Sequence, residues 1–402
     1  MPAYKYTAKD KESARTLSGI LEAQSQKEAE EILHQKNLII VSLTFAKGGF
    51  LKKKSGRRVP LDDLVVFSRQ LATMIDSGIT LVAALGILKD QIENKALADI
   101  ISWMYQDVEA GKGFCDAVAK YPAAFSGFYI SMIKAGEASG TLDEVLDRLA
   151  LYLEKTAALR RKIKSSLIYP AVVITMAFSI TALLLLKVVP TFKSIFETLG
   201  GNLPLPTQIL ITVSDIFKKY FLLLLIALGF SIFGLTRYIA TPSGRYKFDK
   251  FILKLPIFGP LFLKVAVARF ARTFSTLVKS GIPILNALDI VAKTAGNKVI
   301  EETIDNSRQA IRDGEPIYQP LERSKVFPLM VVRMIGIGEK TGELEKMLSK
   351  IAEFYENEVD NAVSGLTSII EPLVIAFLGI IIGGIVLALF LPIFKISELV
   401  SH

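Results

Sequence analysis

Histidine and cysteine are nearly missing from this chain: His34, His402 and Cys115 are the only ones in 402 residues. One cysteine excludes an intramolecular disulfide and a multi-cysteine metal site, and the place expected for it is that of a small apolar side chain in a core. His34 falls in a short N-terminal module and His402 is the last residue, so neither pairs with a catalytic partner or a metal cluster. A phosphate loop is also lacking. The nearest approach, Gly336-Ile-Gly-Glu-Lys-Thr-Gly342, puts Glu339 before Lys340 and does not have the G-x-x-x-x-G-K-[ST] spacing. No catalytic residue, cofactor or metal is therefore expected. The opening residues MPAYKYTAKDKE lack an apolar core, which excludes a signal peptide and predicts no cleavage.

Apolar length is what the chain has. Hydrophobic residues make up 51% and charged residues 22%, with a mean hydropathy of +0.42. This is a mixed membrane and aqueous composition. Three windows, 168–189, 220–240 and 369–391, are long and apolar enough to cross a bilayer. The net charge of +9 would suit nucleic acid, but its placement suits a membrane better and no nucleic-acid partner is expected. Arg160, Arg161, Lys162 and Lys164 precede the first window, and only Lys193 closely follows it. Arg237, Arg245, Lys247, Lys250 and Lys254 lie at or beyond the end of the second. Both biases predict that residues 1–167 and 241–368 are cytoplasmic, and alternation puts the C-terminus outside.

The chain also repeats itself. Phe67, Arg69, Ser77, Gly78, Ile79, Ala84 and Leu85 recur 203 positions later as Phe270, Arg272, Ser280, Gly281, Ile282, Ala287 and Leu288. At an offset of 202, Gly136-Glu137, Gly140, Leu142, Pro170 and Pro190 recur as Gly338-Glu339, Gly342, Leu344, Pro372 and Pro392. A single repeat of this length is a duplicated domain and not a solenoid. Two copies facing the same side need an odd number of extra spans between their anchors, and residues 220–240 supply one.

These boundaries predict a mainly α polytopic membrane protein with duplicated cytoplasmic helical-bundle domains, three transmembrane helices and a small N-terminal α+β module. The module covers 1–46, with strands near Tyr4–Ala8, Ile20–Ala23 and Leu38–Leu43 and a helix from Lys27 to Gln35. A Gly- and Lys-rich solvated linker follows at 47–60. The first bundle is 61–167, then come the span 168–189, an exported loop 190–219 broken by Gly200, Gly201, Pro204 and Pro206, and the span 220–240. The second bundle is 241–368, followed by the span 369–391 and a tail, 392–402, too short to fold. Leu64, Phe67, Leu71, Met74 and Ile75 form one helical face, ended by Gly78 and, in the second copy, by Gly281. Gly136 and Gly140, with Gly338 and Gly342, are expected to supply backbone angles that other residues resist at a helix–helix joint. Thr141 and Glu144 have capping-box spacing there.

Within the spans, Lys187 lies at a membrane edge where it can snorkel. Glu371 is read as packing near the interface, in the first turn of the third span. Gly379 and Gly383 form G-x-x-x-G, and Ala171, Thr175 and Ser179 lie along one ridge, so both are candidates for close helix packing or subunit contact. Pro170 and Pro372 sit just inside their spans, where a proline disrupts little. A solute transporter or a membrane-tethered signalling scaffold remains an alternative, although the two copies face the same way, unlike an inverted repeat.

The segment Lys162-Ile163-x-x-Ser166-Leu167-x-Tyr169-Pro170, followed by Val188-Val189-Pro190, resembles the signature of the GspF/PilC-type inner-membrane platform proteins of type II secretion and type IV pilus machines. Tyr4-x-Tyr6-x-Ala8, the paired S-G-I segments, both G-E-x-x-G turns and Leu203-Pro204-x-Pro206-Thr207 are similar to that family too, so the resemblance covers essentially the whole chain. The second copy departs from the signature, with Ser364 for Lys162 and Glu371 for Tyr169. The resemblance implies a non-enzymatic homo-oligomeric platform in a bacterial inner membrane. Its implied partners are a cytoplasmic hexameric assembly ATPase, pilin or pseudopilin subunits, other inner-membrane assembly proteins and the lipid bilayer. It leaves pilus and secretion machinery equally open.

Overall fold

The structure is a computed structural model and describes residues 3–10, 16–22, 25–35, 38–45, 59–199, 204–256 and 258–400. At the N-terminus, strands β1 (Ala3–Asp10), β2 (Thr16–Glu22) and β3 (Leu38–Phe45) form an antiparallel sheet in the order β2-β1-β3, and helix α1 (Gln26–Gln35) packs on β3. Tyr4 stands opposite Leu21 on one side and Phe45 on the other. Residues 46–58, which hold most of the expected linker, lie outside the described residues.

The first bundle comprises α2 (Leu61–Asp76), α3 (Leu81–Gln91), α4 (Lys95–Glu109), α5 (Phe114–Ala119), α6 (Gly127–Ser139) and the start of α7 (Leu142–Leu183). A π-helical turn at Leu184–Val188 joins α7 to α8 (Val189–Leu199), and α9 (Leu205–Ile239) returns across the membrane to α10 (Pro242–Lys254). The second bundle repeats the first: α11 (Phe258–Lys279), α12 (Ile284–Thr294), α13 (Lys298–Arg312), α14 (Tyr318–Ser324), α15 (Leu329–Thr341) and α16 (Leu344–Val400).

Local rules explain the duplication. Asn94 and Asn297, one repeat apart, each accept two backbone N–H groups at the start of α4 and α13. Gly78 and Gly281 adopt φ of +83° and +72° after α2 and α11, and Gly140 and Gly342 adopt +74° and +75° after α6 and α15. A side chain resists these left-handed angles. Phe67, Leu85, Leu97 and Ile101 fill the first core, and Phe270, Leu288, Ile300 and Ile304 occupy the matching places in the second. In the first copy Ser68 and Tyr129 share a buried hydroxyl contact of 3.2 Å, and burial pushes the Tyr129 phenol well above its ordinary pKa. The second copy has Ala271 and Val331 at those positions, so both polar partners are replaced together and neither is orphaned.

The two bundles share one continuous apolar core. Across their boundary Tyr152 hydroxyl meets Thr273 hydroxyl at 3.1 Å in a buried contact, and Arg148 donates to Lys279 C=O at 2.8 Å. Helices α7 and α16 touch directly, with Leu159 and Ile163 against a cluster of Leu261, Val359 and Val363.

Three helices among the described residues are long and apolar enough to cross a membrane by themselves; they contain the expected windows 168–189 and 369–391 and all but the last residue of 220–240. Four sequence expectations change. No helix starts at 168 or 369: α7 and α16 run from the bundle core into the apolar segment, about 60 and 85 Å at 1.5 Å per residue. Pro170 and Pro372 therefore lie in helix interiors and not in first turns. The expected exported loop 190–219 is helical on both sides of residues 200–203, and the tail is helical to Val400. Thr141 precedes α7 without capping it, because its hydroxyl is 2.7 Å from Ser139 hydroxyl.

The fourth correction concerns Gly136 and Gly338. Neither has positive φ; both are buried inside α6 and α15. A Cβ on Gly136 would lie 2.9 Å from Val145 Cβ, and one on Gly338 would lie 2.9 Å from Leu344 Cα. Close approach of the next helix, not backbone freedom, requires these glycines. Gly136→Val and Gly338→Val are expected to lower stability by about 1–3 kcal/mol each through overpacking. Gly379→Val, with open space around it within the chain, should leave the unfolding midpoint of the monomer in detergent unchanged.

Candidate functional site

The two G-E-x-x-G turns aim their carboxylates at the corresponding neighbouring helix but bond them differently, because Oε2 of Glu339 is buried with no hydrogen-bond partner among the described residues. Glu137, on α6, accepts from the backbone N–H of Phe114 and Cys115 at 2.7 and 2.9 Å. Glu339, on α15, accepts from Ile317 N–H at 2.8 Å. Ile317 is the repeat partner of Phe114, so a negative charge sits at the start of the short helix α5 or α14 in both copies. Cys115 is half-buried, with burial pushing its thiol above the ordinary range. Glu137 and Glu339 are therefore fasteners between neighbouring helices, and the Gly336–Gly342 segment is the end of α15 with a left-handed cap at Gly342.

A second repeated device was not singled out from the sequence. Arg69 grips Glu154 with two guanidinium nitrogens at 2.6 and 3.0 Å, tying α2 to α7. Arg272 grips Glu356 at 2.8 and 2.8 Å, tying α11 to α16. The planar fork suits a carboxylate in this bidentate way. Its signal was present: Arg69 was already paired with Arg272, and Glu154 recurs as Glu356 at the second offset.

The residues of the Lys162–Pro190 segment do not converge on one pocket. Lys162 reaches the other copy, its Nζ 2.5 Å from Asp360 Oδ2. The second copy has Ser364 at the place of Lys162, so this link is made only once. Pro170 is buried, Ser166 is half-buried, and Tyr169 is half exposed on the outside of α7. The side chains of Leu167 and Glu371 lie outside the described residues. Pro372 and Gly379 are exposed, and neither Gly379 nor Gly383 has another group close enough to touch an added Cβ. Thr175 and Ser179 hydroxyls donate to carbonyls of their own helix, on an exposed face. The small-residue ridges are thus unused within this chain.

Pro190 and Pro392 explain the far end of the membrane region. A proline lacks the N–H that would hold the carbonyl one turn back, and inside a membrane that carbonyl needs another donor. Pro392 frees Ala388 C=O, and Thr207 hydroxyl of α9 donates to it at 2.5 Å. Around Pro190 the helix loosens into the π turn 184–188, and Ser214 hydroxyl of α9 donates to Leu185 C=O at 2.5 Å. Thr207 and Ser214 are seven residues apart, two helical turns, and both are buried. Leu185, Val189, Ile211, Ile385 and Leu389 pack around these bonds, so this is where the three apolar helices meet. Thr207→Val or Ser214→Ala should each cost about 1 kcal/mol in detergent unfolding by orphaning a buried carbonyl. Thr212→Val, which removes a bond only to its own helix, should be silent.

Among the described residues no group of His, Cys, Asp and Glu could hold a metal ion. The arrangement consists of two identically braced bundles fused to each other and continuous with two membrane helices.

Comparison with known proteins gives the following. A family model described as type II secretion system protein F matches residues 67–190 and again 270–392, and one for the N-terminal domain of that protein matches residues 1–44. The type IV pilus assembly protein PilC of Thermus thermophilus is 44% identical, over 100% of both chains. PilC of Myxococcus xanthus is 45% identical over 83% of this chain and 80% of its own. The type II secretion system protein F of Vibrio cholerae is 31% identical over 100% of both.

Proposed function

This chain belongs to the type II secretion system protein F family, and from that membership we propose how its geometry serves the inner-membrane platform of a filament-assembly machine. The chain is a non-enzymatic multi-pass platform of type IV pilus biogenesis or type II secretion. Identity of 44–45% to the two pilus relatives against 31% to the secretion relative favours the pilus side.

The observation that carries the mechanism is the continuity of α7 and α16. Each begins in a bundle core and runs as one unbroken helix into the apolar segment. A push or rotation applied to either bundle passes through the shared core, the Arg–Glu forks and the Lys162–Asp360 pair into both spans at once. A hexameric cytoplasmic ATPase is the source of that motion in this reading, and pilin or pseudopilin subunits lying against the spans are the load. The unused ridges at Ala171–Ser179 and Gly379–Gly383 are faces for a second copy or for those subunits, because small residues permit close helix approach. Lysines and arginines on the bundle side of the first two spans support bundles and N-terminus inside and C-terminus outside. Residues 1–46, with three strands and one helix, are read as a separate α+β module.

The test is co-purification. In mild detergent the chain alone should hydrolyse no ATP and should retain a cytoplasmic assembly ATPase from its own cells, and Arg272→Ala should weaken that retention by loosening α11 from α16. Failure to retain any such ATPase contradicts the proposal.

A further inference from the structure

An apolar corner lies where the second span enters the second bundle. The span ends at Ile239 and α10 starts at Pro242, capped by Thr241. The turns are tight: a Cβ on Gly244 would sit 2.0 Å from Tyr238 C=O, and one on Gly259 would sit 2.3 Å from Leu253 C=O. Helices α10 and α11 then meet at 112°. The inner side of α10 is fastened to the bundle, with Asp249 accepting from Lys298 N–H at 2.7 Å. The outer side shows Phe251, Phe258 and Phe262, which are 61%, 41% and 45% exposed. Lys247, Lys250 and Lys254 flank them, and among the described residues none is within ion-pair distance of a carboxylate.

Together α10 and α11 are apolar enough to pass for a broken span, but they cannot be one. Helix α10 has 13 residues, about 20 Å, against a hydrocarbon core of about 30 Å. From Ala266 to Leu277, α11 is committed to the bundle core. Bulky aromatics beside lysines that have no carboxylate partner (Lys250 lies over the Tyr246 ring), held next to the end of a span, have the composition of an element that lies in the lipid interface. We propose that this corner seats on anionic lipid next to α9, the phenylalanines entering the acyl boundary and the lysines meeting phosphate headgroups. The seat sets the height and tilt of the second bundle over the bilayer. It rests on α9 being a membrane span and is independent of any ATPase or filament partner.

Trp103 is the only tryptophan, which makes a direct test possible. In a Trp103→Phe background, Phe258→Trp and Phe262→Trp would each place one indole at the corner, and Ile337→Trp would place one on exposed α15 as the control. The full chain is set in nanodiscs with brominated acyl chains, zwitterionic or anionic. The corner indoles should be quenched about twofold or more and the α15 indole should not. Lys247→Gln, Lys250→Gln and Lys254→Gln combined should reduce the quenching in anionic discs and leave it unchanged in zwitterionic ones. Corner indoles quenched no more than the control in either disc would mean that protein, not lipid, covers this face, and the proposal fails. Quenching in anionic discs that ignores the triple substitution overturns the headgroup contact.

Discussion

The contact between α7 and α16 governs the rest of the structure. Each helix is at once the last helix of a bundle and a membrane span, so packing one against the other joins the bundles and the spans in a single step. Beside this packing, the buried contact of Tyr152 with Thr273 of α11 and the Leu159–Ile163 cluster take polar and apolar surface out of water together. Separating the bundles would expose that surface, at roughly 25 cal/mol per Å² of apolar area. The Lys162–Asp360 pair, half exposed at its two ends, adds register more than energy.

Duplication supplies the parts and asymmetry supplies the function. Matching devices recur: asparagine caps, left-handed glycines, the Glu137 and Glu339 fasteners and the two Arg–Glu forks. They make each bundle rigid by the same means. What differs lies inside the first core, at Ser68 and Tyr129, and where the copies meet each other or the bilayer. Lys162 has no counterpart in Ser364, Ser68 and Tyr129 give way to Ala271 and Val331, and α10 carries aromatics and lysines to the foot of α9. At the far end a single helix, α9, serves both copies, with Thr207 answering the carbonyl freed by Pro392 and Ser214 answering the loosened turn near Pro190.

Much of this was legible in the sequence, for identifiable reasons. Helical periodicity and span length are local properties, and the repeat offset let each copy check the other. Gly140 and Gly342 were read correctly because a left-handed cap depends on the residue itself. Gly136 and Gly338 were misread because their constraint is Val145 in one copy and Leu344 in the other, a tertiary contact that no local rule reveals. Reading 168 and 369 as helix starts failed similarly: hydropathy marks where lipid begins, not where a helix does. Thr207 was noticed only as part of a motif, since a hydroxyl seven residues before Ser214 means nothing until the helix crossing them is in place.

Cooperativity tests the shared core most directly. Leu348, fully buried on α16, can be truncated to alanine and amide hydrogen exchange followed across the chain in detergent. A single fused unit predicts that α3 and α4 of the first bundle lose protection together with the second bundle. Loss confined to α11–α16, with the first bundle exchanging as before, would mean that the bundles are independent and that motion of one does not reach both spans.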